Sequence, residues 1–444
     1  MKKVLCMLLA ATMMFSLAAC GGGSGSKDES GAAGNSDAQK IVIWQPTDKE
    51  SVENWWVEKL DEWNAANPDI QVERIAIDRS DSYAYENKIA TAVTSNDLPD
   101  ILFVDGPQVS YYAANNIIIP LDAYFEDTSD FVDSTVAQCT YDDKLYAISA
   151  TESSCAFYYN KDYLTECGVD VAKLESYTVD NPMTWSEMEE IAKACTTDKY
   201  VGTHIVMDHG EGIPYALEPM YISNGVDYLS ADGSTATGYV NSPEAVETTE
   251  FLAGLIAKGY ANVDPITDEF INGACATEIM GSWEVSTLKN ANVDFEWGVT
   301  YYPVSDKTKT AVSPCGDWSA AITSKCANPD GAGKFLQWLM SSENVASYAA
   351  CIAKPASRSS SYDDPAMAEY KEYPLSVFVE ELENNASPRP RTPAYSTFTT
   401  DYAEAMTNIF SAAASNGSID KGMIQEQLDN VAASFEEDYN TNYK

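Results

Sequence analysis

Ile41-Val42-Ile43-Trp44, Ile70-Gln71-Val72-Glu73-Arg74-Ile75 and Ile101-Leu102-Phe103-Val104 are three apolar-rich runs separated by two stretches of helical periodicity. The first run is short and continuously apolar, the pattern of a strand buried on both faces. After it, Val52, Trp55, Trp56, Leu60 and Trp63 recur at helical spacing until Asn67-Pro68 stops the helix. The second run alternates roughly. Ile89 and Val93 then mark another helix, and Leu98-Pro99-Asp100 leads into the third run. Strand, helix, strand, helix, strand implies a parallel sheet with helices on its faces, an α/β fold. In open sheets of this kind ligands bind beyond the carboxyl ends of the strands, so the segments after Trp44 and after Val104 are the first places to look for a site.

The same grammar continues along the chain. Thr184-Trp185-Ser186-Glu187 is a capping box opening a helix through Met188 and Ile191. Ser242-Pro243 starts a helix that Gly259 closes, Asp232-Gly233 marks a hairpin turn, and Asn328-Pro329 opens a helix through Phe335, Leu336 and Leu339. The last hundred residues read as mostly helical, and no internal repeat is evident.

The beginning of the chain is of another kind. Lys2 and Lys3 precede an apolar run from Val4 to Leu17, followed by Leu17-Ala18-Ala19-Cys20. A basic start, a short apolar stretch and small residues before a cut are the marks of a secretory signal over residues 1–19. The run is too short for a permanent span, which takes about 20 apolar residues. Leu-Ala-Ala-Cys also resembles the bacterial lipobox, which makes Cys20 the expected lipidation site. Residues 20–39, almost wholly small and polar, read as a flexible tether, because such a segment cannot bury enough apolar surface to fold. Its glycines have no strand before them and no helix after them, so a phosphate-cradling loop is excluded.

The net charge is −41, and loss of Lys2 and Lys3 with the leader makes it −43. Nucleic acid and anionic head groups are repelled by such a surface, so no nucleic-acid partner is expected. Eight cysteines lie beyond the signal and the anchor, with no Cys-x-x-Cys spacing. His204 and His209 are not arranged with them as zinc ligands, so no metal and no cofactor are expected. An exported chain could oxidise these cysteines or bury them as thiols, and no pairing is assigned.

A set of blocks in order then carries a family resemblance. They are Leu98-Pro99-Asp100-Ile101 with Ile119-Pro120-Leu121-Asp122, Lys144 to Ile148 with Tyr158-Tyr159-Asn160-Lys161-Asp162, and Thr184 to Glu187. Phe270 to Trp283, Ser324-Lys325 through Phe335-Leu336, and Pro355-Ala356-Ser357-Arg358 complete the set. From Ile41 to about Val431 the chain resembles the family 1 extracellular solute-binding proteins of ABC importers, the group of maltose- and oligosaccharide-binding proteins. The resemblance implies two α/β lobes, each a mainly parallel sheet flanked by helices, with ligand in the cleft between them. It implies lobes discontinuous in sequence, 40–152 with 306–354 and 153–305 with 355–444, and hinge crossings near Glu152, Pro303 and Lys354. It further implies closure of the lobes around the ligand and delivery to the transmembrane subunits of an ABC permease. The expected location is the extracellular face of the cell membrane, held by lipid, on a Gram-positive surface, and the expected state is a monomer.

Ligand contacts follow by position. Similarity to maltose-type binders points to Asp48 and Lys49, to Glu152 at the first crossing, to Tyr215 as a stacking tyrosine, to Trp283 as the pocket tryptophan, and to Asp317 and Trp318 where the chain returns to the first lobe. Trp44 and Asp105 join them at the strand ends. Val104 stands where maltodextrin binders carry an aromatic, which argues against a maltose-like ligand. Independently, a pyranose presents an apolar C–H face and a rim of hydroxyls, which aromatic walls and carboxylates satisfy. Trp55, Trp56, Trp63 and Trp185 read as packing residues. Two other readings stay open: a secreted glycoside hydrolase, which needs paired carboxylates at a set separation, and a binding protein for a peptide, a polyamine or a metal complex.

Overall fold

The computed structural model describes residues 38–78, 84–265 and 268–444. The expected leader, Cys20 and most of the tether lie outside the described residues.

The opening strands form as their patterns require. β1 (Gln39–Pro46) pairs in parallel with β2 (Ile70–Ile77) and β3 (Ile101–Asp105), with Ile43 opposite Arg74 on one side and Ile101 on the other. The helix Glu50–Ala66 joins the first two and buries Val52, Trp56 and Trp63, while the helix Ala84–Ser95 joins the next two and buries Ile89. Ile41, Ile43, Ile101 and Leu102 are inaccessible to solvent, as strands covered on both faces should be.

A two-residue hairpin, β4 (Thr140–Tyr141) with β5 (Lys144–Leu145), precedes the first crossing. The chain then enters the second lobe along β6 (Cys155–Asn160), every residue of which is buried. β7 (Thr203–His204), β8 (Thr277–Gly281) and β9 (Trp297–Thr300) complete a sheet in the order β7-β8-β6-β9. Return runs through β10 (Ser313–Cys315) into β11 (Trp318–Ile322), which joins the first sheet at its edge in the order β11-β3-β1-β2. A last strand, β12 (Ala386–Pro388), lies parallel to β10 between the lobes.

The mainly parallel sheet expected in each lobe holds for the first, where only β11 runs against its neighbour. In the second, β6 is antiparallel to both β8 and β9, and only β7 with β8 is parallel. The cause is the crossing. A strand arriving from the other lobe starts at the cleft, whereas the lobe's own strands end there. In the first lobe that strand takes the sheet edge; in the second it takes the interior.

The division expected at residue 354 falls later. Ala356 bridges Thr151, Arg358 pairs with Asp130 at 2.6 Å, and the short 3-10 turns Ser359–Asp363 and Pro365–Lys371 continue along the first lobe. Contacts with the second lobe begin at Glu369, which pairs with Lys289 at 2.9 Å, and at Tyr373, whose hydroxyl accepts from the Val299 N–H at 2.6 Å. The expected hairpin at Asp232-Gly233 is a turn without flanking strands. There the Gly233 N–H reaches the Ser230 carbonyl at 2.7 Å, and the Asp232 carboxylate gathers the hydroxyls of Ser230 and Ser234. All eight cysteines of the described body are free thiols, five of them buried.

Candidate functional site

Between the lobes lies a cavity of about 770 Å³, within the range of small-molecule sites. Its first-lobe wall comes from the ends of strands. β3 finishes at Asp105, and the antiparallel register sets Trp318, the first residue of β11, directly beside it. Asp48 and Lys49 follow β1, and Lys49 donates to the Ile352 carbonyl at 3.2 Å. Asp317 is buried and fully engaged: it accepts from Lys354 at 2.7 Å, from the Thr151 hydroxyl at 2.6 Å and from the Trp318 N–H at 2.8 Å.

The second-lobe wall is aromatic. β8 ends at Gly281, and the Trp283 ring folds back over it so closely that a Cβ on Gly281 would sit 2.1 Å from the ring. Only glycine leaves that space. Trp283 stacks on Tyr215 with ring centroids 6.3 Å apart and planes at 23°, and Lys354 reaches over the Trp283 ring at 5.9 Å. The Tyr215 hydroxyl is shared with that of Ser153 at 2.7 Å, and Ser153 in turn donates to the Gly316 carbonyl at 2.5 Å.

At the floor, Arg389 connects the lobes. Its guanidinium donates to both oxygens of Asp105, at 2.9 and 3.1 Å, and to Glu211 of the second lobe, and it lies over the Tyr215 ring at 5.1 Å. Glu211 also accepts from the hydroxyls of Tyr395 and of Thr399, the latter at 2.6 Å. Gly316, at φ +144°, passes so near that a Cβ there would meet the guanidinium at 2.6 Å.

Seven of the nine expected contacts therefore line one cavity: Asp48, Lys49, Asp105, Tyr215, Trp283, Asp317 and Trp318. Two do not. Glu152 is fully buried behind the wall, where its carboxylate accepts from Thr135 at 2.7 Å, Gln138 at 2.8 Å, and the N–H groups of Ser153 and Gly316. Burial pushes its pKa up to about 7 against those donors. It ties the first crossing to the return strand. Trp44 keeps its ring away from the cleft lining, under the Lys88 ammonium at 4.7 Å, while its carbonyl accepts from Tyr85.

Sequence reasoning missed Glu211, Lys354 and Arg389 as wall residues. Glu211 stands four residues before Tyr215, in Glu211-Gly212-Ile213-Pro214-Tyr215. Arg389 carries a signal of its own: Pro388-Arg389-Pro390-Arg391 interrupts a helical region with residues that cannot continue a helix, and so marks a non-helical segment. The cavity carries five carboxylates (Asp48, Asp105, Asp208, Glu211 and Asp317) against three cations, Lys49, Lys354 and Arg389. Among the described residues no group of three His, Cys, Asp or Glu side chains could hold a metal ion.

Residues 58–375 match the family model described as a bacterial extracellular solute-binding protein. The chain belongs to that family. The galactooligosaccharide-binding protein of Bacillus subtilis (strain 168) is 23% identical over 356 residues, which is 77% of this chain and 77% of that one. Among solved structures, the cyclic alpha-maltosyl-1,6-maltose binding protein of Arthrobacter globiformis superposes with a TM-score of 0.74 at 22% identity, covering 90% of this chain and 98% of the other. An ABC substrate-binding protein of Listeria monocytogenes in complex with cycloalternan gives 0.73 at 20% identity, over 89% and 98%. These likenesses establish the two-lobed fold of extracellular binding proteins.

Proposed function

We propose that this member of the family captures a neutral oligosaccharide by closing its lobes on it and passes it to an ABC permease, acting as a carrier and not as an enzyme. The observation that carries the reading is the pairing, in one interlobe cavity, of an aromatic wall (Tyr215 stacked on Trp283, with Trp318 from the other lobe) and a rim of carboxylates and ammonium groups. Flat rings cover the C–H face of a pyranose while the rim takes its hydroxyls. The excess of carboxylates in the cavity disfavours uronates and other anionic sugars. The ligands named for the relatives, galactooligosaccharide, cyclic maltosyl-maltose and cycloalternan, support the same class. Cys20 as a lipid anchor and residues 20–39 as a tether would hold the body at the outer membrane face as a monomer.

A thermal-shift screen of the mature chain against neutral oligosaccharides, uronates, peptides and polyamines tests the proposal. A ligand that binds only the folded state raises Tm once its concentration exceeds its Kd. A rise with neutral glycans, with the sugar recovered uncleaved, is the expected result. A rise only with peptides or polyamines would remove the sugar, and cleaved sugar would make the protein a hydrolase.

A further inference from the structure

The segment between the lobes at β12 and Arg389 has a cavity on each side of it. The second, also of about 770 Å³, shares Arg389 with the cleft and no other lining residue. The first lobe contributes the β4–β5 turn, with Tyr141, Asp142 and Asp143. The second contributes Glu218 on the buried helix Gly212–Ser223, and Asp227 and Tyr228 beyond that helix.

Glu218 is the unexplained group. It is 3% exposed, and its Oε2 has no hydrogen-bond partner among the described residues. A carboxyl buried without a partner is costly, and such groups in native structures call for an explanation. Burial pushes its pKa well above the carboxylate range. The Arg389 guanidinium offsets this only in part, because its hydrogen bonds go to Asp105 and Glu211 on the cleft side. Arg391 is the other cation of the lining, and it donates to the Ala137 carbonyl at 3.0 Å. Against these two stand Glu218, Asp142, Asp143, Asp227 and Asp232. Carboxyl groups thus outnumber cations along the lining, and Glu218 at the buried end has no hydrogen-bonded cation among the described residues. Its carboxylates are spread along the walls and not gathered into a metal-binding group, which suits an elongated ligand with separated charges over a single ion. Tyr141, Tyr228 and Tyr439 also line it, and aromatic rings are side chains that attract ammonium and guanidinium groups.

We propose that this cavity is a second ligand site, taking a small organic cation, a diamine or a guanidinium amine, with one charged nitrogen on Glu218. Its walls come from both lobes, so an occupant is linked to lobe closure, and the linkage is reciprocal with whatever fills the cleft.

Calorimetric titration of the full chain with 1,4-diaminobutane and with agmatine, at ionic strength matched with sodium chloride, tests the site without any ligand in the cleft. Saturable binding of one cation per chain is expected, weaker by about tenfold or more in Glu218→Gln, the weight of one charge-assisted hydrogen bond. Asp227 is exposed, so Asp227→Asn folds normally and is expected to weaken binding by a smaller factor; it carries the test if Glu218→Gln does not fold. Heats that follow ionic strength alone, or equal affinity in the wild type and both variants, would overturn the proposal. Binding of calcium chloride without binding of either amine would overturn it as well.

Discussion

Arg389 and Trp283 show how differently two residues of one wall work. Arg389 is 4% exposed and neutralises carboxylates from both lobes at once, with a planar fork that reaches Asp105 through two nitrogens. Arg389→Gln would leave Asp105 and Glu211 facing each other without a cation, and removal of one partner from a buried ion pair costs about 3 kcal/mol or more. Urea denaturation should show that loss, and Arg389→Lys should recover only part of it, since an ammonium cannot replace the fork. Trp283, by contrast, is only half-buried, packed at the edge of the second-lobe core and stacked on Tyr215 in the cleft wall. Trp283→Ala is expected to leave the denaturation midpoint nearly unchanged. It should weaken sugar binding by about 2 kcal/mol, the scale of a lost stacking face, and unchanged affinity would take Trp283 out of the site. Trp283 was legible before any coordinates because Met280-Gly281-Ser282-Trp283 stands in a recognisable block. Arg389 was not, because nothing in a sequence says that two acidic residues more than a hundred positions away, in different lobes, converge on one arginine. Glu152 was misplaced for a related reason. Its position at the crossing was right, but whether a carboxylate there faces ligand or its own backbone depends on which way the chain turns, and it turns toward Gly316.

At the scale of elements, local signals and tertiary packing agree closely. The helix Trp185–Cys195 begins with Thr184 accepting from the Glu187 N–H while Glu187 accepts from the Thr184 N–H, a complete capping box, and it buries Met188 and Ile191. Trp185 packs flat on Phe251 at 4.9 Å and 13°, a structural role. Thr184→Ala should cost about 1 kcal/mol, seen as a lower urea midpoint with unaltered ligand affinity, because the cap lies away from the cleft lining. Ser242 and Asn328 cap their helices through side chains in the same manner. Such starts are readable because the chemistry lies within three or four residues. The inverted strand β6 was not readable. Its residues suit either direction, and only the crossing that delivers it decides which end meets the cleft.

The whole molecule adds a property that no single contact has: a set of carboxyls buried in and around the crossings of a chain with net charge −41. Burial pushes the pKa of Glu381 up to about 8 and those of Glu152 and Glu284 up to about 7, from an ordinary 4.5. Between the ordinary value and the raised one, the folded chain keeps protons that the unfolded chain has released. The stability these groups contribute is therefore present at acid pH and lost as pH rises through 7 to 8. His204 acts in the opposite sense. Burial lowers its pKa from 6.5 to about 4, so its contribution is complete above 6.5 and lost as the pH falls. Glu187, pulled down to about 2 with Lys173 and Thr184 as its donors, changes only in stronger acid. The interval from pH 6.5 to 8 thus isolates the raised carboxyls, and Tm should fall across it. Glu381→Gln is the decisive variant. It retains an oxygen for the Tyr302 N–H, which Glu381 accepts at 2.8 Å, and it removes the carboxyl that burial raises to about 8. Its Tm should decline less steeply than that of the wild type over the same interval. Parallel curves for the two proteins would mean that Glu381 is ionised in the folded state throughout and that the decline belongs to other groups or to general charge repulsion.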